Sequence, residues 1–354
     1  MVSDDAGPFI MDLPAPWITC GVSLIGSSHL GTVLPCQDSV KVGADDTGRW
    51  AWLIAADGHG SAPYFRSDRG SRIAVQVLYE MFESIRIQVE QVAQPLLEVP
   101  EGAELEGMDQ ARVRRLSNDF VQNLLVRKVL SGWRERVAAD LAADPPRAGA
   151  TEGPLDLFLE GLDSKNPGSS AVLKSRLQEW SDNPDTLELP DWGLRAYGST
   201  LLGVLVGPAV LYWFQLGDGA MARIDSGTAR YLVSPPPEAF GNETPSLCGP
   251  DAVDQALAGV FEFVGPMLPP EAIVISTDGI INSYTDSSGF FSFAEAVAQR
   301  SASDLAVGEK LELWLNQISA GGSGDDVTLA LAFHSSPSVS YDNTHAIADN
   351  EGAE

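Results

Sequence analysis

Five aspartates stand where apolar runs stop. Asp57 ends WAWLIAADGHG, Asp218 ends LYWFQLGDGA, Asp278 ends AIVISTDG, Asp325 precedes DVTLALAF, and Asp38 lies in LPCQDSV. An Asp-Gly pair at a strand end is common turn chemistry, because Asp tolerates the left-handed conformation and caps its own backbone. Three such pairs after apolar strands in one chain weaken that reading. Gathered at one edge of a sandwich, these side chains would form a cluster that cannot stay ionised without a cation. Carboxylate and carbonyl oxygens suit Mg2+ or Mn2+; zinc would prefer the 4 His and 3 Cys, which are not clustered. Gly58, lacking Cβ, would let its carbonyl approach an ion closely. Two ions about 4 Å apart could bridge and deprotonate one water and aim it at phosphorus, with no Ser, Cys or His nucleophile.

The elements that must position these residues are segregated rather than alternating. WITCGVSLIG (17–26) and WAWLIAA (50–56) predict strands. A helix follows on the stripe Ile73, Val77, Met81 and Ile85, and another on Leu130, Trp133, Val137 and Leu141, closing at Pro145-Pro146. Residues 144–192 read as an irregular insertion with one short helix. Strands return at 199–206, 209–216, 221–224 and 229–233, joined too closely for helical crossovers, so antiparallel hairpins are predicted. An irregular stretch opens at Pro235-Pro236-Pro237 and runs to about 269, before the strand AIVIS (272–276). Ser292 and Glu295 form a capping-box pair that predicts a helix start. A helical stripe then continues to Gly321-Gly322, and DVTLALAF (326–333) is the last strand. Antiparallel strands with helices in blocks predict an α+β fold around one core.

Composition narrows the partners. Of 354 residues, 22 are basic and 49 acidic, a net charge of −27 that repels nucleic-acid phosphate and anionic membrane surfaces. No run approaches the roughly 18 apolar residues of a spanning helix. The start MVSDDAGPFIMDLP has neither a basic nor an apolar signal region. A cytoplasmic monomer is expected, with loosely ordered acidic tails at 1–16 and 336–354 around a single domain at 17–335.

In order, QDS (37–39), AADGHGS (55–61), YGST (197–200), LGDGA (216–220), STDG (276–279) and GDDVT (324–328) resemble the type 2C (PPM) metal-dependent protein phosphatases, in a bacterial branch. The resemblance implies a four-layer α-β-β-α sandwich of two mainly antiparallel sheets flanked by helices. It also implies two Mn2+ or Mg2+ ions, and hydrolysis of phosphoserine or phosphothreonine by direct attack of a metal-bridging water. Asp57 matches the bridging aspartate, Gly58 the carbonyl ligand of the second metal, and Asp278 and Asp325 the remaining carboxylates of the first. Asp38 matches the acidic residue of the first motif, where Gln37 replaces a Glu that usually holds a metal-bound water. Asp218 matches an aspartate that is more structural than ligating. His59 matches a general acid to the leaving alkoxide, which suits a group titrating near neutrality; as a turn residue it would only bond a nearby carbonyl. Residues 235–269 match the flap beside the active site. Phosphorylated proteins and a cognate Ser/Thr kinase are the implied partners.

Two departures stand out. Val33 occupies the position of the family's phosphate-gripping Arg, for which His29 or Arg66 could substitute, although a surface role suits Arg66 better. Arg195 occupies the position of the aspartate that binds a third metal, with Asp191 nearby. Cys36 reads as a small buried apolar residue. A pseudophosphatase that binds a kinase or phosphoprotein, and a phosphatase of small phosphate esters, are the alternative readings.

Overall fold

The computed structural model describes residues 15–30, 35–97, 120–146, 155, 159–161, 163–164, 167–182, 191–234, 244–263, 268–303 and 307–334. Its strands are β1 (Trp17–Leu24), β2 (Ser39–Ala44), β3 (Ala51–Ala56), β4 (Leu201–Val206), β5 (Val210–Leu216), β6 (Ala220–Asp225), β7 (Thr228–Val233), β8 (Leu257–Glu262), β9 (Ala272–Ser276) and β10 (Val327–His334). Its α-helices are α1 (Ser67–Leu97), α2 (Val126–Ala143), α3 (Ser169–Asp182), α4 (Asp191–Ala196), α5 (Ala252–Gln255), α6 (Asp278–Ile281), α7 (Ser287–Ser303) and α8 (Val307–Gly321). Two five-stranded sheets, ordered β1-β10-β9-β6-β7 and β2-β3-β4-β5-β8, are antiparallel at every pairing. Among the described residues no helix is long and apolar enough to cross a membrane.

The layers follow from strand alternation. In β3, Leu53 and Ala55 meet Val204, Met221, Ile275 and Ala330 between the sheets. Ile54 and Ala56 turn outward onto Leu78, Phe82 and Trp133 of α1 and α2. In β10, Leu329 and Leu331 face Phe290, Val297 and Leu311 of α7 and α8. Strands covered on both faces lose the polar alternation of a half-exposed sheet, which is why these runs read as continuously apolar. The order helix, sheet, sheet, helix is the expected α+β sandwich.

Several local expectations are corrected. β2 was not among the predicted strands: SVKVGA offers Val40, Val42 and the small Ala44 to the interior, while Lys41 lies over the Tyr79 ring at 4.4 Å. The stretch expected to be irregular to 269 contains β8, an edge strand on β5 whose Gly259 breaks the apolar pattern to make room for the Trp213 ring. The 144–192 region contains the 14-residue α3 and the start of α4. Helix α7 starts ahead of Ser292, where Asp286 accepts a hydrogen bond from Ser288 N at 2.8 Å; Glu295 instead accepts one from Ala229 N at 2.8 Å. Hairpins form at β4–β5 and β6–β7, but the turn after β5 carries the chain into the other sheet, where β6 pairs with β9. Gly217 makes that crossing at φ +112°, which an L side chain adopts only with strain.

Candidate metal centre

Sheet pairing explains why the aspartates meet. Ser39 of β2 faces Ala56 of β3, so Asp38 and Asp57 share an edge. The end of β9 lies beside the start of β10, which brings Asp278 and Asp325 to the same end of the other sheet. Asp218 sits in the β5–β6 crossing between the two sheets. Carboxylate oxygens of Asp57, Asp218 and Asp278 lie within 4.8 Å of one another. Asp325 is about half exposed at the rim and belongs to a different group, with His29 and Asp326. Asp218, expected to be structural, joins Asp57 and Asp278 in one group, while Asp325, expected to be a ligand, acts on both of those carboxyls from the rim.

Backbone and hydroxyl contacts fix the loops. Asp57 N donates to Thr200 Oγ1 at 3.0 Å, and Thr200 N donates back to Asp57 O at 2.8 Å. Gly58 forms an isolated bridge with Ser199, and a Cβ on Gly58 would come within 2.5 Å of Gln37 O. Asp218 accepts from Thr244 Oγ1 at 2.9 Å, Asp278 from Asn282 Nδ2 at 2.8 Å, and Asp38 from Thr277 Oγ1 at 2.8 Å. Such outer hydrogen bonds orient carboxylates for a cation.

Electrostatics point the same way. Burial, followed by Asp38 and Asp278, holds the Asp57 carboxyl well above its ordinary range. Burial pushes Asp38 up to about 8, although Thr328 and Thr277 pull it down. Burial, then the neighbouring Asp218, raises Asp278 to about 6. Without a cation the cluster holds protons, as crowded buried carboxylates must.

Gln37 is a clip. Its Nε2 donates to Ser67 Oγ at 2.6 Å and to His59 O at 3.1 Å, its backbone N donates to Asp326 at 2.6 Å, and its Oε1 is buried without a partner. Asp326 also accepts from Gly26 N at 2.6 Å and bonds His29 Nδ1 at 2.9 Å, so His29 is engaged with it. Sequence reasoning missed Asp326 and Thr244; the doubled Asp of GDDVT was the available signal for the first.

Two expectations change here. The His59 ring packs on Tyr64 at 4.6 Å and burial pushes its pKa down to about 4, so it is neutral at pH 7 and not a group titrating near neutrality. Its Nε2 is buried without a partner. Arg66 is not a surface residue: it is buried and donates to Tyr197 Oη at 2.9 Å and Asp144 O at 2.6 Å, facing α2 and not the carboxylates. Burial, then Asp326, pushes the Cys36 thiol up to about 12, in keeping with an inert side chain. Arg195 is exposed, its guanidinium 5.6 Å from the Tyr64 ring centre. Val33 and residues 235–243 of the flap-like region lie outside the described residues.

The donor set around Asp57 is oxygen throughout, with no Cys or His in the group. It fits a hard divalent cation. A family profile described as Protein phosphatase 2C matches residues 25–316. No curated protein matches the chain. Solved structures similar to it include the catalytic domain of serine threonine protein phosphatase PstP in complex with two manganese ions, at 14% identity, covering 90% of this chain and 99% of that one, with a TM-score of 0.44. PppA, a key regulatory component of T6SS in Pseudomonas aeruginosa, is 13% identical over 91% of this chain and 99% of its own, with a TM-score of 0.44. The S. agalactiae serine/threonine phosphatase is 14% identical over 90% and 99%, with a TM-score of 0.41.

Proposed function

The chain belongs to the protein phosphatase 2C family, and we propose that it hydrolyses phosphoserine and phosphothreonine in proteins at the Asp57–Asp218–Asp278 centre. The observation that carries this reading is the convergence of three carboxylates, from the ends of β3, β5 and β9, within 4.8 Å. Asp57, Asp218 and Asp278 would hold two Mn2+ or Mg2+ ions together with the Gly58 carbonyl, while Asp325 closes the rim and Asp38 stands behind. The ions would supply Lewis acidity and an activated water for in-line attack on phosphorus. Gln37 holds the His59 carbonyl and thereby the loop that carries Asp57. Neutral His59 offers its unpartnered Nε2 to a substrate oxygen instead of titrating.

Mn2+-dependent turnover of a phosphoserine peptide and of p-nitrophenyl phosphate tests the reading. The expected result is turnover of both that disappears with chelator. Turnover of the small ester alone would move the substrate to small phosphate esters. A wild type inert at saturating Mn2+ would overturn hydrolysis and favour a binding module.

A further inference from the structure

We propose that Arg195 binds the phosphoryl group of the substrate, an assignment that rests on the phosphatase reading and deepens it. Arg195 lies in the last turn of α4, which runs directly into Tyr197-Gly198-Ser199-Thr200. That segment is fastened to the loop of the carboxylate centre: His59 N donates to Gly198 O at 3.2 Å, Ser199 bridges Gly58, and Thr200 exchanges hydrogen bonds with Asp57. The guanidinium of Arg195 lies 5.6 Å from the Tyr64 ring centre, and the Tyr64 and His59 rings are 4.6 Å apart. The three side chains form a row leading from solvent to the residue two places beyond Asp57. Gly198 keeps the row closed, since a Cβ there would come within 2.5 Å of Tyr64 and 2.9 Å of His59.

The neighbouring arginines are committed elsewhere. Arg66 faces Tyr197 and Asp144, Arg69 pairs with Asp140 and Asp144, and Arg72 pairs with Asp68. Among the described residues Arg195 has its contact with Tyr64 and no carboxylate partner. In a chain with 49 acids and 22 bases, that leaves Arg195, among the described residues, an exposed cation without an anion at the head of the segment bonded to the Asp57 loop. A guanidinium stacked on an aromatic ring keeps its N–H edge free and oriented, and its planar fork matches two phosphate oxygens.

The test uses full-length, Mn2+-loaded wild type, Arg195→Ala and Arg195→Lys. Inorganic phosphate is titrated by calorimetry, and KM is measured on p-nitrophenyl phosphate and on a phosphoserine peptide. Arg195→Ala is expected to weaken phosphate binding and raise KM on both substrates by about tenfold to a hundredfold. kcat should fall less, Mn2+ affinity should hold, and Lys should restore only part of the loss. Equal phosphate affinity in wild type and Arg195→Ala overturns the inference. A KM rise confined to the peptide does so too, because the cation would then read the chain and not the phosphoryl group. If the wild type turns over nothing yet Arg195→Ala binds phosphate more weakly, the failure falls on the phosphatase reading and the grip stands.

Discussion

Two carboxyls at the centre, Asp57 and Asp278, carry a proton cost that a cation must meet. Asp278, raised to about 6, and Asp57, held well above its ordinary range by burial and then by Asp38, take up protons in the metal-free protein that Mn2+ displaces on binding. The sign follows: affinity rises with pH through the raised values and falls in acid. We expect Mn2+ affinity to increase by about tenfold per pH unit for each proton displaced. Calorimetry in buffers of different ionisation enthalpy would count those protons; a pH-independent affinity would contradict the account. Arg66 gives the contrasting case of a buried cation with a structural task. Arg66→Ala leaves the Tyr197 hydroxyl and Asp144 without it, and should lower stability by about 3 kcal/mol in chemical denaturation, with KM unchanged. Asp57 and Asp278 were legible in the sequence because each closes an apolar run before Gly. Arg66 was not, because its burial depends on Tyr197, 131 positions away.

Elements place those residues by packing closely at two seams. Where α1 passes the 197–200 segment, a Cβ on Gly70 would stand 1.8 Å from Tyr197 O. Gly70→Ala must push the helix off the segment that holds Asp57, and should cost about 1–3 kcal/mol by thermal denaturation. Mn2+ affinity should weaken with it; a variant of wild-type stability would show that the seam is looser than described. The second seam is the β5–β6 crossing, which sets Asp218 between the sheets. Periodicity in the sequence located β5 and β6 but could not tell a hairpin from a change of sheet, because both produce an apolar strand after a Gly-rich turn. The same limit hid how near Asp218 lies to Asp57 and Asp278, which stand on strands distant in sequence. β2 and β8 were missed for another reason: as edge strands with few large side chains they carry little pattern.

For the whole molecule, the sandwich was legible because both sheets are covered on both faces, leaving long apolar runs with few polar interruptions. The −27 net charge has a general part, spread over the surface, and a local part at the strand ends. Cations offset only the local part, so their effect on the fold should be specific. Mn2+ at a hundredfold excess over its dissociation constant should raise Tm by about 5–10 °C. Asp57→Asn should lose that rise, while Arg195→Ala keeps it. An equal Tm rise in Asp57→Asn would mean that Mn2+ acts on the general acidic surface.

The central claim is that one end of the sandwich holds divalent cations between three strand-end aspartates. Anomalous diffraction from crystals soaked in Mn2+ addresses it directly. The account predicts peaks bounded by the Asp57, Asp218 and Asp278 carboxylates. Density confined to His29, Asp325 and Asp326, with none at Asp57, would contradict it.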